Sequence, residues 1–303
     1  MDVLSDILRV IRLQGSVYFR SCFCSPWGME VRQSPRASFH IVVRGECWLQ
    51  MEHLNQPTLL AGGDILVLPH GAPHQISDLP DSHCLPGEQV ITAYQKGEAL
   101  FVGDHNNFDI VCGYFEFDQH WSHPFIDALP EVIHLRPEDR YQFGWLDNAL
   151  NQIISEAGNI QPGSEVLIDR FTEVLFIQVL RAHMLTQGDE QNYLAAISDK
   201  LIGRALSLMH SSPEEEWTLE KLAREVGMSR SVFANRFHEL VGQPPIAYLF
   251  AWRMQLAKRR IEQTKAPLAD IAEQVGYNSD SAFKKAFKRF FAQTPASVRK
   301  GKK

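Results

Sequence analysis

No stretch of this chain stays apolar over the ~20 residues that a membrane-crossing helix needs, so no such helix is expected. The opening residues Met1-Asp2-Val3-Leu4-Ser5-Asp6 are acidic and lack the basic start of a secretion signal, which points to the cytoplasm. Cysteine is scarce. There are 5, an odd number, so free thiols are expected rather than a disulfide framework. A basic excess is also missing: 30 Lys and Arg stand against 36 Asp and Glu, a net charge of −6, which taken alone argues against nucleic acid. That shortage is local. Residues 1–195 hold 11 basic and 25 acidic side chains, net −14, while residues 196–303 hold 19 and 11, net +8. An acidic front joined to a basic back is the charge footprint of a regulatory domain fused to a nucleic-acid-binding one. At 303 residues each part has room for its own core.

The basic part contains one pattern twice. Leu222-Ala223-Arg224-Glu225-Val226-Gly227-Met228-Ser229-Arg230 is matched by Ile271-Ala272-Glu273-Gln274-Val275-Gly276-Tyr277-Asn278-Ser279. Each copy continues into a pair of phenylalanines four apart, Phe233 with Phe237 and Phe283 with Phe287. The physics is that of a helix-turn-helix. A small Ala lets two helices cross closely, and Gly suits the left-handed position that ends the first. Ser229, and Asn278 or Ser279, can cap the second helix. Phe at i and i+4 puts one apolar stripe on the core. With Phe233, Phe237 and Leu240 inward, the free face of the first recognition helix carries Arg230, Ser231, Ala234, Asn235 and His238, with Arg236 beside them. With Phe283, Ala286 and Phe287 inward, the second presents Asp280, Ser281, Lys284, Lys285 and Lys288. Asn can pair bidentately with adenine, and Ser is permissive. Lys258, Arg259 and Arg260 are expected to meet phosphate or solvent rather than bases.

Trp252-Arg253-Met254-Gln255-Leu256-Ala257, between the copies, resembles the linker helix of the AraC/XylS family of bacterial transcription regulators. So does Gly276-Tyr277-Asn278-Ser279-Asp280-Ser281-Ala282-Phe283-Lys284-Lys285-Ala286-Phe287-Lys288-Arg289, followed by Pro295 and Arg299. Two departures follow the second recognition helix: Ala292 stands where the family usually has Gly, and Val298 where Tyr is common. The resemblance implies that Ser231, Asn235, Ser281, Lys284 and Lys285 reach bases or flanking phosphates. A linker helix over about 246–263 would span ~27 Å at 1.5 Å per residue, compatible with two recognition helices in adjacent major grooves.

The front half reads differently. Val3, Leu4, Ile7, Leu8 and Ile11 predict a short amphipathic helix over 2–13. From Ser16 to about Val111, short β-rich runs alternate with turn residues, which predicts an antiparallel sandwich or barrel. Gly63-Asp64-Ile65-Leu66-Val67-Leu68-Pro69-His70-Gly71-Ala72-Pro73-His74 is similar to the second motif of cupin barrels. Phe39-His40-Ile41-Val42-Val43-Arg44-Gly45 resembles the strand of the first motif, with one His where metal-binding cupins have His-x-His and Glu. Residues 139–185 turn helical in two stripes broken at Asn159-Ile160-Gln161-Pro162-Gly163. In the resembling family, helices at this place pack against the barrel and pair two protomers; a helical hairpin that only covers the barrel is the other reading.

The expected fold is α+β in two domains. An N-terminal cupin-like antiparallel β-barrel with covering helices (1–186; barrel about 16–117, helices about 139–185) precedes a linker (187–195). A C-terminal all-α domain (196–303) then carries two helix-turn-helix motifs joined by a linker helix. The expected function is sequence-specific, cytoplasmic and non-enzymatic regulation of bacterial transcription. Promoter DNA, RNA polymerase, a small effector and a second copy of the chain are the expected partners, with no membrane and no cofactor. Three signals compete for the front domain. One is an effector held by His40, Trp48, His70 and His74. Another is a metal on His40 and His74, for which two histidines are too few. The third is redox sensing at Cys22 and Cys24, two thiols that strand alternation would put on one face. A metal-dependent cupin enzyme fused to a DNA-binding module is the alternative class.

Overall fold

The computed structural model describes residues 2–103, 107–117, 123–140, 144–186 and 193–300. Helix α1 (Val3–Ile11) starts where Asp2 accepts a hydrogen bond from the Leu4 N–H and stops at Arg12 in the left-handed conformation. Ten strands follow: β1 (Gln14–Phe23), β2 (Gly28–Val31), β3 (Ala37–Arg44), β4 (Glu46–Gln50), β5 (Thr58–Ala61), β6 (Ile65–Leu68), β7 (His74–Ser77), β8 (Leu85–Pro86), β9 (Phe108–Glu116) and β10 (Ile133–Leu135). Helix α2 (Gly87–Gln95) lies before β9, and α3 (Pro124–Asp127) before β10. Helices α4 (Gly144–Gly158) and α5 (Ser164–Thr186) close the front half. The back half is helical: α6 (Tyr193–Ser198), α7 (Ile202–Ser211), α8 (Leu219–Glu225), α9 (Arg230–Val241), α10 (Pro245–Gln263), α11 (Leu268–Gln274), α12 (Asp280–Phe291) and α13 (Pro295–Lys300).

The described strands form two five-stranded sheets, ordered β1-β9-β3-β6-β10 and β5-β4-β7-β2-β8. The expected barrel is therefore two separate sheets rather than one closed wall. Inward residues of both meet in a single core, with Phe19, Val42, Leu66, Ile110 and Cys112 from the first and Met29, Cys47, Leu49, Leu60 and Ile76 from the second. Alternation along each strand produces this core. Helix α5 packs on β1, and Arg20 of β1 grips Asp109 of β9 through Nε (3.2 Å) and Nη2 (2.7 Å) while Nη1 donates to the Ile154 carbonyl of α4. Helix α2 and strand β10 were absent from the sequence expectation.

The chain divides into two compact units, and both are discontinuous in sequence. Residues 13–117 and 129–186 form the sheet unit; residues 2–12, 123–128 and 193–300 form the helical unit. Of the expected linker, 187–192 lies outside the described residues and 193–195 opens α6.

Tyr248 of α10 organises the helical unit. Its buried hydroxyl lies 2.7 Å from the Tyr193 hydroxyl, 2.6 Å from His210 Nε2 and 3.2 Å from His123 Nε2. His123 Nδ1 accepts from the Phe125 N–H, so its Nε2 must donate to Tyr248. Burial holds His123 well below the ordinary histidine pKa, with His210 adding to it, and lowers His210 to about 3. Helix α1 packs on α7 and α10 within this unit, and Arg12 Nη2 donates to Glu262 Oε2 at 2.7 Å.

Candidate DNA interface and sensor pocket

Both repeats fold as helix-turn-helix motifs. In the first, α8 begins at Thr218, which accepts from the Lys221 N–H, and Gly227 (φ +72) makes the turn. Ser229 then caps α9 by accepting from the Val232 N–H. In the second, α11 leads to Gly276 (φ +81), and Ser279 caps α12 by accepting from the Ala282 N–H. Ser279, rather than Asn278, is the cap. Phe233, Phe237, Phe283 and Phe287 are fully buried, so the polar faces turn outward by helical geometry.

On α9, Arg230, Ser231, Asn235 and Arg236 are exposed; on α12, Asp280, Ser281, Lys284, Lys285 and Lys288 are. Several already have intramolecular partners. Arg230 Nε lies 2.9 Å from Glu220 Oε1, and Lys284 pairs with Asp280 one turn before it. Arg236 pairs with Asp199, whose other oxygen accepts the Leu201 and Ile202 N–H groups that open α7. These hydrogen bonds, with Arg236 itself, hold the Asp199 carboxyl below the usual range against the effect of its burial. Val232, 55 % exposed on the same face, was missed; an apolar residue amid polar ones gave no signal, though it suits a thymine methyl. Lys258 lies over the Phe291 ring, Arg259 donates to Gln263, and Arg260 to Gln274.

In the sheet unit, His40 and His74 meet, with Nε2 atoms 2.8 Å apart. His74 Nδ1 must donate to the Ala72 carbonyl (2.8 Å), so in the neutral ring its Nε2 accepts from His40 Nε2–H. His40 Nδ1 is left to accept from the Cys112 thiol at 3.1 Å. Burial lowers His40 well below its ordinary pKa, with His74 adding to it, and lowers His74 to about 4 against the opposing bond to Ala72. Burial, with Cys47 adding to it, pushes Cys112 up. The relay is uncharged throughout. The two Nε2 atoms face each other and the two Nδ1 atoms are taken by Cys112 and Ala72, and no group of three or more His, Cys, Asp or Glu suited to a metal occurs among the described residues. The donor set does not fit a cupin metal.

A cavity of about 250 Å³ opens beside this relay. Its buried lining includes Phe19, Met29, Ser38, His40 and Cys112, and charged Glu30, Arg32 and Glu88 also border it. Trp48, His70 and His74 are not in the lining. Cys47 and Leu49 face the core, so Trp48 between them points to the other side of the sheet. His70 is exposed on the turn after β6, with Nε2–H donating to the Leu129 carbonyl. The two candidate thiols part company because β1 ends at Phe23: Cys22 is exposed, whereas Cys24 is buried with its thiol on the Gly103 carbonyl. Burial, followed by Asp109, raises the Cys22 pKa, opposite to what a sensor thiol needs.

A pocketed two-sheet unit coupled in one chain to a pair of helix-turn-helix motifs defines a DNA-binding regulator with a sensor domain. A family described as cupin matches residues 2–185, and one described as a helix-turn-helix domain matches 222–301. The chain belongs to the AraC-type transcription regulators that carry a cupin-type N-terminal domain. It is 30% identical over 312 residues to the HTH-type transcriptional regulator AlkR of Acinetobacter baylyi, covering 99% of each chain. It is 31% identical to a putative AraC-like transcription regulator of Streptomyces antibioticus, again over 99% of each. With the RCS-specific HTH-type transcriptional activator RclR of Escherichia coli it shares 28% identity, over 99% of this chain and 97% of that one.

Proposed function

We propose that α9 and α12 enter adjacent major grooves, reading bases and phosphates through Arg230, Ser231, Asn235 and Arg236 and through Asp280, Ser281, Lys284, Lys285 and Lys288. We propose too that a small effector in the cavity beside His40 governs that binding. The observation carrying the first part is the pair of capped helices, each with its phenylalanines buried and its polar face exposed. Arg236 joins the interface by exchanging Asp199 for a phosphate.

The uncharged relay supports a class of effector. A ligand charge at the buried end, next to Ser38, neutral His40 and neutral Cys112, would find no countercharge among those three and would be costly to desolvate. The effector therefore places an uncharged, mainly apolar end with one hydrogen-bonding group beside His40 or Ser38, and any charge it carries lies at the border formed by Glu30, Arg32 and Glu88. On this reading the sheet unit serves as a sensor and not as an enzyme, in keeping with relatives that are transcriptional regulators. The protein acts in the cytoplasm, on the nucleoid, as a homodimer that engages RNA polymerase. No described helix is long and apolar enough to cross a membrane.

The test selects binding sites from random duplexes with the intact protein, then repeats the measurement with Asn235→Ala and Lys285→Ala. Each substitution should cost at least ~5-fold in affinity for the selected site. Asn235→Ala should relax base preference in one half-site, whereas random-sequence binding hardly changes. Unchanged site preference in both variants would sink the assignment of these helices.

A further inference from the structure

We propose that Arg253 staples the two helix-turn-helix motifs in one register, so that this side chain sets the spacing tolerated between the two DNA half-sites. The inference rests on α9 and α12 being the DNA-reading helices.

Helix α10 belongs to both motifs. Near its start, Tyr248 packs edge-on against Phe237 of α9. Further along, Met254, Ala257 and Ile261 form one core with Ile271, Val275, Phe283 and Phe287 of the second motif. A 19-residue helix fixes a separation of ~28 Å along its axis, and the side chains packed on it set the rotation of each motif about that axis only through that motif's own face of the helix. Rotation decides whether two recognition helices fall into successive grooves.

Arg253 adds a direct tie between the two motifs. Its Nε donates to the Pro213 carbonyl at 2.6 Å and its Nη2 to the Glu215 carbonyl at 2.8 Å. That turn leads into α8 and is itself braced. Trp217 donates its backbone N–H to Glu215 (2.8 Å) and its indole N–H to Ser212 (2.9 Å). The guanidinium also lies against Gly276, the turn glycine of the second motif. A Cβ there would sit 2.7 Å from Arg253 Nη2 and 3.0 Å from the Glu214 carbonyl oxygen. The turn of one motif thus touches the lead-in of the other with Arg253 between them. The equivalent glycine of the first motif gives the contrast. Gly227 has the same positive φ, yet a Cβ there would meet nothing within 4 Å. One glycine serves the backbone alone; the other also seats the arginine. A rigid planar guanidinium can hold two carbonyls in fixed directions, where a lysine ammonium is a point donor.

The experiment uses the full chain and the site it selects from random duplexes, with zero, one or two base pairs inserted between the half-sites. One base pair displaces the second half-site by about 3.4 Å and about 34°. Wild type should lose at least ~10-fold in affinity at the first insertion, the size of a lost half-site contact. Arg253→Ala and Gly276→Ala should flatten that dependence to less than about 3-fold while keeping wild-type affinity for a duplex carrying one half-site. Gly227→Ala imposes the same left-handed strain without touching Arg253, and should keep the full spacing dependence. Wild-type spacing dependence in a folded Arg253→Ala, or in Gly276→Ala should the first variant not fold, overturns the staple. Loss of spacing dependence in Gly227→Ala as well overturns it too, because strain alone would then suffice. Asn235→Ala and Lys285→Ala on the single half-site duplexes test the recognition helices separately. If neither variant weakens binding there, the reading beneath the staple falls, and the proposal with it.

Discussion

Ala292 shows how a single position can be read in the sequence and then explained by the structure. It stands where a glycine was expected after the second recognition helix, and it closes α12 in the left-handed conformation, φ 55 and ψ 7. An L-residue there is strained by about 1–2 kcal/mol, part of which a glycine returns through its greater freedom in the unfolded chain. Ala292→Gly should therefore stabilise the helical unit by about 0.5–1 kcal/mol, raising its melting temperature by a few degrees; an unchanged or lower midpoint in thermal unfolding would count against the strain. Other residues were legible because their signal is periodic. The four buried phenylalanines follow from i, i+4 spacing, and the exposed faces of α9 and α12 follow from them. His40 and His74 stood out as a pair, but the Cys112 thiol closing their relay did not, since nothing in an apolar strand marks which residue lies across the sheet. Arg253 was visible only as part of a family motif. Its partners are main-chain carbonyls, and carbonyls leave no trace in a sequence.

Elements carried a stronger signal than their assembly. The apolar stripe over 3–11, the break at 159–163 and the two turn glycines located α1, the α4–α5 pair and both helix-turn-helix motifs. Helix α2 escaped notice because only Gly87, Val90 and Ala93 are buried along its nine residues, too few for a stripe. Strand β10, three residues long, lies beyond the run of β-rich segments, and its pairing with β6 is antiparallel across a long sequence gap. Closure of the sheet was not legible either, since alternation is the same in a barrel and a sandwich. One element has more apolar surface than its own unit uses. On α5, Val166, Leu167 and Val174 are 62 %, 44 % and 40 % exposed, while Leu175, Phe176, Val179 and Leu180 are buried on the opposite face. Positions 167 and 174 are seven apart and share a face. A second copy of the same helix would cover them symmetrically. If the proposed homodimer pairs through this face, Leu167→Asp with Val174→Asp should make the protein monomeric in analytical ultracentrifugation without lowering thermal stability, because neither side chain is in the core. A double variant that sediments as wild type does would place the dimer contact elsewhere.

The whole molecule is organised by a division that neither the charge split nor the linker describes fully. Charge separates an acidic front from a basic back near residue 195, and the helix-turn-helix match at 222–301 lies in the basic part. Yet two front-half segments, 2–12 and 123–128, fold with the back half. Val3, Leu4, Ile7, Leu8, Val10 and Ile11 bury the apolar face of α1, and His123 contributes to the hydrogen bonds around Tyr248. Amphipathicity revealed that α1 has a buried face but not what buries it, because the partner positions on α7 and α10 lie about 200 residues away in sequence. The consequence is measurable. A fragment cut at the sequence-derived linker, residues 187–303, lacks both segments and leaves Tyr248 and the groove of α1 open to water. Burying several aliphatic side chains contributes roughly 1.5–3 kcal/mol each before the entropy of ordering the helix is subtracted. The fragment should then melt at least ~5 °C below the same unit in the intact chain, and a peptide spanning 2–12 added in excess should recover part of the difference by binding the folded form. Equal melting, with no response to the peptide, would mean that α1 rests on this unit without stabilising it. A recovery by the peptide would make the first helix of the chain a structural part of its DNA-binding end, joined through Leu13 to the first strand of the sensor sheet.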